Sequence, residues 1–125
     1  MDANTIGTMV LNRAMKVHTS LGPGLLESVY ELCLAHELSE SGMRATRQTA
    51  LPVIYDGMEI EGGFRADMVV EDLVIVEIKA VDKLLPVHHS QLLTYLKLSG
   101  LKLGYLLNFN VPHMRDGIRR VVNGL

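Results

Sequence analysis

Residues 64–80 read Phe64-Arg65-Ala66-Asp67-Met68-Val69-Val70-Glu71-Asp72-Leu73-Val74-Ile75-Val76-Glu77-Ile78-Lys79-Ala80, and the reading of this stretch decides the fold. Leu73 to Ile78 is apolar enough to be a central strand covered on both faces. Glu77 and Lys79 interrupt it two residues apart, and side chains at i and i+2 of a strand point to the same face. An ionisable group buried without a partner is costly, so the two must answer each other, a metal ion, or both. Asp67 adds a third charge if residues 64–70 and 74–80 pair as an antiparallel hairpin. A two-residue turn at Glu71-Asp72 would set Asp67 opposite Val76, so that Asp67 and Glu77 lie on opposite faces. A three-residue turn over Glu71 to Leu73, or a bulge that restores the register, sets Asp67 opposite Glu77. The site therefore requires the odd-length connection. The pattern reads as a divalent-metal site, with a structural ion pair on an amphipathic strand as the competing reading.

Upstream of this stretch, residues 3–19 place Ile6, Met9, Val10, Ala14 and Val17 at helical spacing. Leu21-Gly22-Pro23-Gly24 breaks that helix. A second helix is expected from about Leu25 to Ser41, stopped by Gly42. Apolar residues nearly encircle it, which predicts burial all round. Glu27 lies in its first turn, favoured there by the helix dipole, and Tyr30 and Glu31 follow on the same side. Alternation over Arg47 to Tyr55 predicts a strand, with Pro52 marking an edge or a bulge. Asp56-Gly57 is a hairpin turn into a short strand around Met58 to Ile60, and Gly62-Gly63 introduces the hairpin quoted above.

Downstream, Pro86 reads as the first residue of a helix ending at Ser99 and closed by Gly100. Leu101 to Phe109 is a further apolar strand, and the tail reads as a short amphipathic helix carrying Ile118, Val121 and Val122. Helices alternating with strands make this a mixed α/β or α+β fold. At 125 residues, 48% hydrophobic and 21% charged, residues 1–125 are expected to form one soluble domain. Neither a run approaching the ~20 apolar residues of a membrane span nor a secretory leader is visible. The single Cys33 suits a reducing cytoplasm.

The net charge of −2 carries no general nucleic-acid signal, but the halves differ. Residues 1–62 hold four Lys/Arg against eight Asp/Glu, whereas residues 63–125 hold eight against six. The basic excess shares its half with the acidic pair and favours a polyanionic ligand, although a solvated face explains Arg115, Arg119 and Arg120 equally well. Oxygen donors such as Asp67, Glu77 and the Ile78 carbonyl suit Mg²⁺ or Mn²⁺. Such an ion polarises a phosphate and lowers the pKa of an attacking water, while Lys79 orients that water or stabilises developing charge. Glu27 joins the same metal, directly or through water, if its helix packs across the sheet. Gln91 and Tyr95, at i and i+4, face one way and either contact a nucleotide or form an ordinary polar helix face. Zinc is not indicated, since His18, His88 and His89 lack further His or Cys partners.

Gly24-Leu25-Leu26-Glu27-Ser28-Val29-Tyr30 fits the motif that names the GxxExxY proteins. The chain resembles that family along nearly its whole length, through His18, Leu21-Gly22-Pro23, Arg65-Ala66-Asp67, Val76 to Ala80, Gln91 to Leu96 and Leu107-Asn108-Phe109. GxxExxY proteins are grouped with the PD-(D/E)XK nuclease superfamily. The resemblance implies a restriction-endonuclease-like core: a mixed central sheet of about four strands plus an extra short hairpin, flanked by helices. It matches Asp67 to the motif Asp, Glu77 and Lys79 to the E-x-K pair, and Glu27 to the acid on the preceding helix. Gln91 and Tyr95 resemble the Q-x-x-x-Y element of the RecB-like and lambda-exonuclease-like branch. Ala66 stands where the classical motif has Pro, and every charged position is intact.

These readings predict a Mg²⁺- or Mn²⁺-dependent nuclease that hydrolyses phosphodiester bonds in DNA, with RNA as the alternative substrate. Glu27, Asp67, Glu77 and the Ile78 carbonyl would hold the metal, Lys79 would assist the water, and Tyr30, Gln91 and Tyr95 would contact substrate. So small a chain has little room for its own DNA-reading domain, so a homodimer or a protein partner is expected. The alternatives are a non-catalytic interaction or nucleic-acid-binding module on a nuclease scaffold, and a small-molecule phosphatase using the same site in a closed pocket.

Overall fold

A computed structural model describes residues 1–125. Helix α1 (Ala3–Leu21) starts at Asp2, whose carboxylate accepts from the Thr5 N–H at 2.8 Å. It ends where the Gly22 N–H turns back onto the His18 carbonyl. Ile6, Val10, Ala14 and Val17 form its buried stripe; burying each Ile or Val contributes about 1.5–3 kcal/mol. Gly7 lies on the same side, where a Cβ would come within 2.9 Å of the Leu103 and Tyr105 side chains. Glycine there lets α1 lie close against the sheet. Helix α2 (Glu27–Glu40) buries Tyr30, Glu31, Leu34 and Leu38. The all-round burial suggested by its composition does not occur. Val29 and Leu32 are exposed, because α1 and the sheet cover one side only.

Strands β1 (Ala45–Tyr55) and β2 (Met58–Val70) pair as a long hairpin around Asp56-Gly57. Strand β3 (Val74–Lys79) follows, then a crossover through helix α3 (Pro86–Ser99) to strand β4 (Leu103–Asn108). A 3-10 turn at Met114–Gly117 leads into strand β5 (Ile118–Val122). The sheet order is β1-β2-β3-β4-β5, antiparallel except for the parallel β3–β4 pair that α3 connects. One face carries the larger core, with α1 and α2 over β3 and β4 through Tyr30, Leu34, Val76, Ile78 and Leu107. The other face carries α3, with Leu92 and Leu96 on Val69, Ile75 and Leu106. This is the mixed sheet flanked by helices that the sequence implies. No helix is long and apolar enough to cross a membrane.

Two elements differ from the sequence reading. Gly62-Gly63 does not separate two strands; it sits inside β2. Between the pairs Leu51↔Phe64 and Val53↔Ile60, β1 contributes only Pro52 while β2 contributes Glu61, Gly62 and Gly63. The glycines therefore form a bulge opposite the proline, and a Cβ on Gly63 would run into Val53. The separate short hairpin is simply the far end of β1 and β2, so the sheet has five strands. The tail is likewise a strand and not a helix. Its β-branched Ile118, Val121 and Val122 suit a pleated surface, and pairing satisfies the backbone edge of β4, all of whose residues are buried.

Candidate active site

The β2–β3 connection is odd in length, and this places the acids. Glu71 and Asp72 both adopt left-handed φ, at 53° and 54°, and the Leu73 N–H closes the turn onto Val70 at 3.0 Å. Leu73 is then the extra residue that aligns Val70↔Val74, Val69↔Ile75 and Met68↔Val76. Continuing that register sets Asp67 opposite Glu77. The ladder itself stops one pair short, at Met68↔Val76. Beyond it β3 goes on with β4 alone, through Glu77↔Leu106, Ile78↔Leu107 and Lys79↔Asn108. The two strands fork, and the Asp67 carboxylate fills the gap by accepting the Ile78 N–H at 2.8 Å.

Glu77 shares this face with Ile75 and is only 5% exposed. Its Oε1 is buried without a hydrogen-bond partner. Burial pushes its carboxyl from 4.5 up to about 9, the adjacent Asp67 carboxylate pushes the same way, and Lys79 pulls only partly back. Lys79 is half-buried on the cavity wall, held at its backbone by the Phe109 N–H, 3.0 Å from its carbonyl oxygen. The Asn108 side chain fastens the next residues, accepting from Val81 N–H at 3.1 Å and donating to Val81 O at 2.9 Å. An Asn at the end of an apolar strand run is the visible signal for this role.

Around the fork lies an open cavity of about 570 Å³, lined by Glu27, Ser28, Glu31, Arg47, Gln48, Arg65, Asp67, Glu77, Ile78, Lys79, Gln91 and Tyr95. Helices from both faces reach it there, α2 with Glu27 and α3 with Gln91 and Tyr95. The Ile78 side chain belongs to the larger core, so its backbone is what borders the cavity. Tyr95 stacks on Phe64 at 4.3 Å between ring centroids; burial and the nearby Glu77 raise its phenol pKa. Tyr30 is the exception among the residues expected to meet substrate. It is fully buried and stacks on Phe109 at 4.5 Å. Its hydroxyl donates to Gly22 O at 2.6 Å and accepts from Leu25 N–H at 3.1 Å, so it shapes the loop before α2. Glu31, its neighbour, is the residue that faces the cavity, together with Arg47, Gln48 and Arg65. Arg47, Gln48 and Arg65 are basic and amide residues of ordinary-looking strands, and nothing local marks them.

The donor set fits a divalent cation such as those PD-(D/E)XK proteins use. Asp67, Glu77 and the Ile78 carbonyl offer only hard oxygen donors, and the buried Glu77 Oε1, which has no hydrogen-bond partner, is an oxygen that a cation would satisfy. No three His, Cys, Asp or Glu side chains approach closely enough to hold an ion together. Glu27 lines the same cavity as Asp67 and Glu77.

The fold and the cavity together describe an α/β protein that gathers two carboxylates and a lysine from adjacent strands beside an open polar cleft. The family model of the PD-(D/E)XK nuclease superfamily matches residues 4–121, and the chain belongs to that superfamily. Its nucleases generally use divalent metal ions, and nucleic acid is the substrate the membership implies. No curated protein sequence matches the chain. Among solved structures the chain is similar to the crystal structure of SSO0001, with a TM-score of 0.58 and 18% identity over 96% of this chain and 79% of that one. At that identity the likeness is one of fold.

Proposed function

We propose that this chain is a divalent-metal-dependent nuclease hydrolysing phosphodiester bonds in DNA, with RNA as the alternative substrate. The observation that carries the reading is the buried, unpartnered Glu77 oxygen beside Asp67, with Lys79 two residues on. Asp67, Glu77 and the Ile78 carbonyl would hold Mg²⁺ or Mn²⁺, with Glu27 contributing through a water. When bound, the ion supplies Lewis-acid polarisation of the phosphate and a lowered pKa for the attacking water. Lys79 donates to the attacking water, fixing its lone pair toward phosphorus, and its charge offsets negative charge growing on the phosphate oxygens. Gln91 and Tyr95 place the strand, Tyr95 being braced by its stack on Phe64. Within the superfamily we assign the chain to the GxxExxY proteins and the RecB-like branch, acting in the cytoplasm as a single domain. A homodimer or a protein partner would deliver the substrate.

The test is cleavage of labelled single-stranded, double-stranded and branched DNA and of RNA, with Mg²⁺, Mn²⁺ or chelator. Glu77→Ala and Lys79→Ala proteins are purified identically. Metal-dependent cleavage should fall about 10²-fold or more in both variants. Equal cleavage by all three proteins indicates a contaminant. No cleavage by any, with no metal-induced rise in melting temperature, would leave the interaction module as the better reading.

A further inference from the structure

Arg47 and Gln48 are consecutive residues of β1, and consecutive strand residues normally point to opposite faces. Here both reach the same carboxylate. Arg47 Nε and Nη2 lie 2.9 and 2.7 Å from Glu31 Oε2, and Gln48 Nε2 donates to Glu31 Oε1 at 2.8 Å. The cause is a backbone outlier: Gln48 has φ +49°, in the left-handed region that a non-glycine residue enters only at a cost. It stands opposite Asp67 of β2, between the pairs Arg47↔Met68 and Thr49↔Ala66. The strained turn of one residue thus swings two side chains onto the cavity wall.

The charge balance of the cluster shows what is left free. The Glu31 side chain is 6% exposed and fully engaged, whereas the Arg47 side chain is 36% exposed. A guanidinium has five N–H donors, and Glu31 takes the Nε edge. The Nη1 donors and the second Nη2 donor remain uncommitted on a residue that lines the cavity beside Asp67, Glu77 and Lys79. A rigidly braced guanidinium with a free planar edge is matched to a phosphate, which it binds in a fork.

We propose that Arg47, braced by Glu31 and Gln48, binds a backbone phosphate of the nucleic-acid strand next to the one being cleaved. This rests on the nuclease reading above and adds a phosphate subsite to it. Glu31 and Gln48 are positioning residues: Glu31 holds Arg47, and Gln48 holds the other oxygen of Glu31. Because the neighbouring phosphate does not change during the reaction, the contact is equally strong before and in the transition state. Its loss therefore raises KM and leaves kcat nearly unchanged.

The test uses Arg47→Ala, Arg47→Lys and Glu31→Gln beside the wild type, each first checked by thermal melting. Binding of a short fluorescein-labelled DNA duplex is titrated with Ca²⁺ at stepped NaCl concentrations, and cleavage kinetics are run with Mn²⁺. Arg47→Ala should weaken binding about ten-fold and make the salt slope shallower by about 0.9. Its KM should rise while kcat stays within about two-fold of wild type. Arg47→Lys, the fallback if the alanine protein does not fold, should keep the salt slope and lose affinity, because it keeps the charge but not the fork. Glu31→Gln should likewise keep the slope and raise KM. Wild-type slope and KM in Arg47→Ala, or a Tm loss with kcat falling and KM unchanged, would make the cluster a structural tie and overturn the proposal alone. A wild type that neither binds nor cleaves nucleic acid would overturn the nuclease reading as well.

Discussion

Replacing Glu77 with Gln should remove a pH dependence from the stability of the metal-free protein. In the fold, burial and the Asp67 carboxylate hold the Glu77 carboxyl up to about 9, against its ordinary 4.5 in the unfolded chain. A raised pKa means that the folded protein keeps a proton the unfolded chain has released. The resulting stability is complete below 4.5 and is lost as pH rises through about 9. Across pH 6 to 8 the folded state holds one extra proton at this position, so unfolding free energy falls by about 1.4 kcal/mol per pH unit. Over two units that is about 2.7 kcal/mol, a large share of the roughly 5–15 kcal/mol by which domains are stable. The slope depends on the proton count and not on the height of the pKa, which makes it the robust quantity. Urea unfolding of wild type and Glu77→Gln in chelator at pH 6, 7 and 8 measures it. The difference between the two proteins isolates Glu77 from every other titrating group, histidines included. Saturating Mn²⁺ at pH 8 should then stabilise the wild type and leave Glu77→Gln nearly unmoved, because the ion replaces the proton. Parallel stability curves for the two proteins would refute the buried, proton-holding carboxyl on which this reasoning stands.

Two side chains away from the cavity can be tested by stability. Tyr30→Phe keeps the stack on Phe109 but leaves Gly22 O and Leu25 N–H without their partner; it should cost about 1–3 kcal/mol in urea titrations. Asn108→Ala removes the side chain that pairs with both backbone groups of Val81. Thermal melts should show a loss of about 2–4 kcal/mol, and hydrogen exchange at Val81 should accelerate.

The parts of the fold legible in the sequence are those whose cause is local. Pro86 and Gly100 bracket α3 because each has a conformational requirement that holds in any context. The facing of Asp67 and Glu77 hung on one turn, which the sequence left open between two and three residues; strict alternation settles it once the turn has three. What escaped was decided across the sheet. Tyr30 looks like a site residue beside Glu27, yet the Gly22–Leu25 loop folds over its hydroxyl, a contact no spacing announces. Ile118 to Val122 has a pattern compatible with a helix or a strand, and the open edge of β4 settles it. Arg47 and Gln48 could not be placed on one wall by alternation, because a left-handed φ at Gln48 breaks the rule on which alternation depends.

The fork between β2 and β3 divides the sheet into two panels, β1–β2 on one side and β3–β4–β5 on the other, joined along three residue pairs. The acids and the lysine belong to the seam. Asp67 comes from one panel and Glu77 with Lys79 from the other, so a small twist of the panels changes the spacing between the carboxylates. The β2–β3 ladder ends at Met68 and Val76, and past it the Asp67 carboxylate on Ile78 N–H ties the two panels, while Leu92 and Leu96 of α3 pack on both. An ion drawing Asp67 and Glu77 together would therefore act on the sheet as a rivet acts on two hinged plates, tightening the scaffold as it completes the site.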